Sequence, residues 1–255
     1  KSVTKLDFIE AKKNASAINK LKILSDYKMH PKAILLQIDL KFFENPNIRN
    51  SYEEILSKLP LDKQIVMAVS QIDIESVKEW INKLDIDQLQ KTRIKFITIP
   101  GRFTSWSRDS YILSSDKKGN PVFIISKDGN CYTRARGQRD GEVLDSLNIK
   151  ERDGIPQKEA PFYFEGGDIV IGENEVVIGE HTIRSSNKDL FKGLKVAKDQ
   201  ERQLIINRIE KSFNKKVVVL PTSYPGAHID THISFVGKKR VVIGDINLAL
   251  QRITP

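Results

Sequence analysis

The apolar residues of this chain fall into short runs with two different periods. Phe8, Ile9, Ile18, Leu21 and Leu24 recur at helical spacing, which predicts an amphipathic helix over 8–24. Ala33–Leu40 and Gln64–Val69 are apolar runs of strand length. Between them, Ser51 followed three residues later by Glu54 reads as a capping box that opens a helix reaching Leu59. A second helix is expected from Ile74 to Leu84. Helices alternating with strands indicate an α/β protein.

The later sequence repeats itself. One copy runs from the strand Ile94–Ile99 through Asp109 to a hairpin of Tyr111–Leu113 and Val122–Ile125. The other runs from Lys216–Leu220 through Asp230 to a hairpin of His232–Val236 and Val241–Ile243. In both copies nine residues separate the proline after the first strand from the aspartate, Pro100 to Asp109 and Pro221 to Asp230. A helix precedes the second copy, with Leu204, Ile205, Ile209 and Phe213 expected on its buried side. A third hairpin, Asp168–Gly172 and Glu175–Gly179, opens from Phe164-Glu165-Gly166-Gly167-Asp168. Three hairpins, each entered through a carboxylate, suggest repeated ββαβ modules. If a pseudo-rotation relates them, Asp109, Glu165 and Asp230 converge.

Composition narrows the partners. A chain of 255 residues with 39% hydrophobic content can bury a substantial core. No apolar run approaches the ~20 residues of a membrane span, so a membrane partner is not expected. The net charge of +9 invites a nucleic-acid reading, yet the lysines form no basic block and no aromatic residues interleave with them. Nucleic acid is therefore not expected either. The one cysteine, Cys131, excludes an intrachain disulfide and a zinc site of several thiolates, and reads as an incidental thiol.

The remaining polar residues carry the chemistry. His228, Asp230 and His232 recur at period two, so on an extended chain they share one face, with Ile229, Thr231 and Ile233 on the other. Converging carboxylates repel unless a cation lies between them. A planar guanidinium fits, because its N–H groups make bidentate charge-assisted bonds to carboxylates, and a histidine beside it can move protons at neutral pH. A metal held by His228, Asp230 and His232, with Glu165 as a fourth ligand, is the rival. Same-face residues on one strand are about 7 Å apart, which favours the guanidinium. In Trp106-Ser107-Arg108-Asp109, Asp109 is expected to reach the site, Arg108 to neutralise and position acids, and Trp106 to form a wall. The plain alternative is an internal salt bridge. His30 and His181 are read as structural or surface residues.

Trp106-Ser107-Arg108-Asp109, Glu165-Gly166-Gly167-Asp168 and His228-Ile229-Asp230, in that order, resemble motifs of the guanidine-group-modifying superfamily, which includes agmatine, arginine and peptidyl-arginine deiminases. The likeness spans roughly Ile94 to Asp245. It implies a pseudo-symmetric α/β propeller of five ββαβ modules, about three of them present here in a single domain. It implies hydrolysis of a small-molecule or peptidyl guanidino substrate, with no cofactor and no metal. By the resemblance Asp109 and Asp230 grip the guanidinium, Glu165 holds the imidazole or guanidinium in register, and His228 is the general acid/base. Arg184 lies near the position where amino-acid deiminases carry an arginine for the substrate α-carboxylate. The Trp106-x-Arg-Asp109 form is closer to the agmatine and bacterial peptidyl-arginine branches. Homo-oligomerisation is left open.

The departure from the family concerns sulfur. The family's nucleophilic cysteine lies well downstream of the His-x-Asp motif, in a glycine-rich stretch. Here Pro255 follows Asp230 by 25 residues and Cys131 precedes Glu165, so a chain continuing beyond 255 is expected. A non-catalytic guanidinium-binding protein and a metal-dependent hydrolase are the alternatives. Ser110 stands where some relatives have proline after Arg-Asp.

Overall fold

The computed structural model describes residues 17–28, 31–39, 43–101, 103–104, 107–127, 143, 155–190, 198–221 and 228–244. Most of the helix expected over 8–24, together with His30, Leu40, Trp106 and Cys131, lies outside them. The chain divides into two units, one of Lys1–Met29, Tyr111–Asn130 and Pro156–Pro255, the other of His30–Ser110 and Cys131–Ile155.

Helical spacing suggested that the first element continues to Leu24. Instead Lys22–Ile23 forms a short strand, β1, because the edge of a later strand offers backbone partners and the core takes both Ile18 and Ile23. Tertiary pairing overrides local periodicity here.

In the second unit, β2 (Ala33–Ile38), β3 (Gln64–Ser70) and β4 (Ile94–Ile99) form a parallel sheet with β3 in the middle. Parallel strands need crossovers, supplied by α1 (Pro46–Lys58) and by α2 (Ile74–Lys83) with α3 (Gln88–Thr92). Helix α1 begins five residues before the expected cap. Asn45 Oδ1 accepts from Asn47 N at 3.0 Å and Pro46 takes the first helical turn, so the helix is capped upstream. Ser51 lies inside it, its hydroxyl donating to Asn47 O at 3.0 Å.

The near-continuous apolar run of β3 reflects burial on both faces. Ile65, Met67 and Val69 face Leu56, Val77 and Ile81 of the helices, while Ala68 packs with Ile99, Phe103 and Val143. Leu56 is fully buried in this layer. Leu56→Ala is expected to destabilise the protein by about 2–5 kcal/mol in urea unfolding. A loss under ~1 kcal/mol would mean that the layer collapses around the gap.

The first unit contains one topology twice. Strands β5 (Ile112–Ser115) and β6 (Pro121–Ile125) form an antiparallel hairpin, and β7 (Gln157–Glu159) adds to β6 in parallel. Likewise β8 (Ile169–Ile171) and β9 (Glu175–Gly179) pair antiparallel. After α4 (Glu180–Leu190) and α5 (Lys198–Phe213), β10 (Lys216–Leu220) adds to β9 in parallel. This second set is a ββαβ unit. A third antiparallel hairpin follows, β11 (Ile233–Gly237) with β12 (Arg240–Ile243). In sequence each of the three hairpins comes directly after a 3-10 turn, Ser107–Ser110, Gly166–Asp168 or Ile229–Thr231, and each turn carries an aspartate.

Ile205, Ile209 and Phe213 of α5 fall at i, i+4 and i+8 and enter a core with Ile169, Ile171, Val176, Ile178, Phe162 and Phe164. Leu204, also expected there, is 47% exposed, because it sits about 100° off that stripe. On the other face of the hairpin, Val170 and Val177 pack with Ile229.

Candidate functional site

Two chain segments of the first unit build the site. In the first, the residues leading to Glu165 are strapped down by hydrogen bonds. Lys127 N donates to Phe162 O at 3.1 Å, and Phe164 N donates to Ser126 Oγ at 3.0 Å. Ser186 Oγ of α4 accepts from Tyr163 N and donates to Tyr163 O, both at 3.1 Å. Phe162 and Phe164 drive into the core, their rings 5.8 Å apart. Glu165 itself is extended (φ −112°, ψ 136°) and immediately precedes the next turn. Gly166–Asp168 follows as a 3-10 turn. Neither glycine takes a left-handed conformation, so their service is a tight, buried turn rather than positive φ.

The second segment corrects the expected extended His-x-Asp-x-His face. Ile229–Thr231 is a 3-10 turn, His232 is αR, and β11 begins only at Ile233. The turn wins because Thr231 Oγ1 donates to His228 O at 2.6 Å and His232 N donates to Ile229 O at 2.9 Å. Ile229 is its buried anchor, against Val170 and Val177. The shared strand face that the metal alternative assumed is absent. Among the described residues no cluster of three His, Cys, Asp or Glu side chains could hold a metal ion.

Docking Ile229 on the β8–β9 hairpin brings the residue preceding one turn to the residue preceding the other. His228 Nε2 lies 2.8 Å from Glu165 Oε2. Glu165 is 8% exposed, and among the described residues its Oε1 has no hydrogen-bond partner. A contact of this length between a carboxylate oxygen and a ring nitrogen fixes the orientation of the imidazole against Glu165.

Asp168 is fully buried. Its Oδ2 accepts from Thr182 N at 3.0 Å and Thr182 Oγ1 at 2.7 Å, capping the first turn of α4. Burial, the largest influence, raises its carboxyl above the usual 3.8, while the Thr182 bonds and the nearby His181 and His228 pull the other way. Because the folded-state value is raised, this group's contribution to stability is fully present below about 3.8 and is lost as pH rises through the raised value. Asp168→Asn, which cannot ionise, is therefore expected to gain stability relative to the wild type as pH rises from acid to neutral. Urea unfolding at several pH values checks this, and a pH-independent difference would contradict it.

Asp109, 8% exposed, sits with half-buried Arg108 in the 3-10 turn Ser107–Ser110 of the second unit, a turn that lies against β2. Asp230 is half-buried and His232 exposed. Arg184 is exposed on α4, two residues and so about 200° around the helix from buried Thr182. Trp106 lies outside the described residues. Thr182, Ser186 and Gly179 were not legible as site residues. The one signal was the position of Thr182 in the first turn of a helix, where backbone N–H groups need acceptors.

No protein-family profile and no curated protein matches the chain. Solved structures do match, and they define its class: the chain has an α/β fold shared with deiminases. An agmatine deiminase of C. jejuni aligns at 19% identity and TM-score 0.61, over 91% of this chain and 68% of its own. A protein assigned as a peptidyl-arginine deiminase aligns at 16% identity and TM-score 0.64, over 88% and 65%. The agmatine deiminase of Enterococcus faecalis aligns at 14% identity and TM-score 0.60, over 89% and 62%. The resemblance drawn from three short motifs thus extends to the fold of most of the chain, which spans about two thirds of the length of these structures. No helix among the described residues is long and apolar enough to cross a membrane.

Proposed function

We propose that this chain carries the substrate-gripping and proton-transfer groups of a hydrolase that deiminates a guanidino compound such as agmatine, arginine or peptidyl-arginine. The observation that carries the reading is the 2.8 Å contact of His228 Nε2 with a buried glutamate whose second oxygen has no partner among the described residues. A buried carboxylate beside an imidazole holds the ring in one orientation and stabilises its protonated form, which suits the ring to move protons near neutral pH. The repeated ββαβ topology and the deiminase fold support reading the chain as part of a pseudo-symmetric α/β propeller.

In this reading Asp109 and Asp230 accept N–H bonds from the planar guanidinium, with Arg108 balancing their charge and Trp106 as a wall. A thiolate attacks the guanidinium carbon. The C–N bond breaks, and His228 gives its proton to the departing ammonia. His228 then takes a proton from water, whose oxygen adds to the amidino carbon. The C–S bond breaks as the hydroxyl proton passes to solvent or to the released ammonia, giving a ureido product and the thiolate. Cys131, which precedes the Glu165 motif, is not assigned as that thiol. Arg184, on the outward side of α4, would bear on substrate choice only for a substrate with an α-carboxylate.

Calorimetric titration of the complete protein with agmatine and arginine tests the gripping role. Asp230→Asn is expected to weaken guanidino binding roughly ten- to hundredfold, as loss of about 1.5–3 kcal/mol from a charged hydrogen bond implies. Affinity unchanged in that variant would remove Asp230 from the site.

A further inference from the structure

We propose that Asp168 is a positioning residue that fixes Glu165 against His228 by clamping the Glu165 segment onto α4. Its catalytic consequence rests on the function proposed above; the geometric claim does not. Of the three residues in the turn Gly166–Asp168, only Asp168 has a side chain with which to anchor it. Asp168 N donates to Glu165 O at 2.9 Å, so the backbone of Glu165 moves with that turn. The Asp168 carboxylate is in turn held by Thr182 N and Oγ1. Upstream of Glu165, Tyr163 is held by Ser186 Oγ through both its N–H and its carbonyl.

Thr182 and Ser186 are four residues apart and both fully buried, so they lie on one face of α4 about one turn apart. Ile183 seats that helix in the core. Glu165 is therefore gripped on both sides by a single rigid element. Gly179, the last residue of β9, completes the device. A Cβ there would stand 1.9 Å from Asp168 Oδ1, so the carboxylate occupies the space a side chain would fill. A side chain that places a reacting group must hold it tightly, because a shift of about 1 Å costs on the order of a hundredfold in rate.

The test uses the complete protein with Asp168→Ala, Asp168→Asn, Thr182→Val and Gly179→Ala. Two quantities are read: kcat and KM for a guanidino substrate, and the ring resonances of His228 by NMR, assigned with a His228 variant. Asp168→Ala and Gly179→Ala are expected to lower kcat roughly ten- to hundredfold with KM changed less than about threefold, and to shift the His228 resonances. Asp168→Asn keeps an acceptor for Thr182 and is expected to stay near the wild type in both. If Asp168→Ala does not fold, the near-isosteric Thr182→Val is expected to shift the His228 resonances in the same direction, by less. Wild-type resonances and kcat in folded Asp168→Ala, or in Thr182→Val and Gly179→Ala together, would overturn the proposal. If the wild type turns over no guanidino substrate, the proposed function fails, while the resonances still decide the positioning claim.

Discussion

His228→Ala is expected to lower product formation by the complete protein by roughly 10²–10⁴-fold, the usual contribution of a positioned general acid/base. The expectation follows from which atoms are engaged. Glu165 Oε2 lies 2.8 Å from Nε2 and holds the ring in place, so in the proposed reaction the imidazole both gives and accepts a proton during one cycle. Ammonia leaves a tetrahedral centre only with a proton, and water attacks only after losing one. Alanine removes both transfers and leaves in place the carboxylates proposed to bind the guanidinium. The variant should therefore bind substrate within a few-fold of the wild type while turning it over hardly at all. Glu165→Gln keeps shape and hydrogen bonding but loses charge, and should fall between the two. Steady-state ammonia release with calorimetric binding in parallel separates these outcomes.

Gly179→Ala is expected to destabilise the protein by roughly 2–4 kcal/mol in urea unfolding. The new methyl group would lie 1.9 Å from Asp168 Oδ1, 2.6 Å from Cγ and 2.8 Å from Oδ2. An exposed carboxylate would rotate away at little cost. This one is fully buried and holds two donors of Thr182, so moving it strips the first turn of α4 of its cap. Shifting the backbone of Gly179 instead would disturb its register with Leu220 in β10. Combining Gly179→Ala with Asp168→Ala should cost less than the sum of the single changes, since the trimmed side chain leaves room for the methyl group. Strict additivity would show that the two positions do not share this space.

Much of the layout was legible because it is periodic. The strands β2, β3 and β4, the helix after β3 and all three hairpins follow from apolar runs of strand or helix length, and the repeat located the aspartate ahead of each hairpin. Local competition was not legible. Ser51 and Glu54 made a plausible cap, yet Asn45 followed by Pro46 caps α1 earlier and starts it from a better position. Period two in His228-Ile229-Asp230-Thr231-His232 suggested a strand, but the Thr231 hydroxyl offers the His228 carbonyl a partner that only a turn can use. Leu204 is apolar but off the buried stripe. The contact between Glu165 and His228 joins residues 63 positions apart, and only the packing of Ile229 on Val170 and Val177 creates it. Nothing local marked Asp168 as more than the start of a hairpin, because its partner, Thr182, lies across that hairpin.

The central claim is that this pair serves the hydrolysis of a guanidinium. Assaying the complete protein with agmatine, free arginine and an arginine-containing peptide, with ammonia and ureido product counted together, tests it most directly. The account predicts ammonia and ureido product in equal amounts from at least one of the three. Saturable binding of these compounds with no ammonia released from any of them would contradict it.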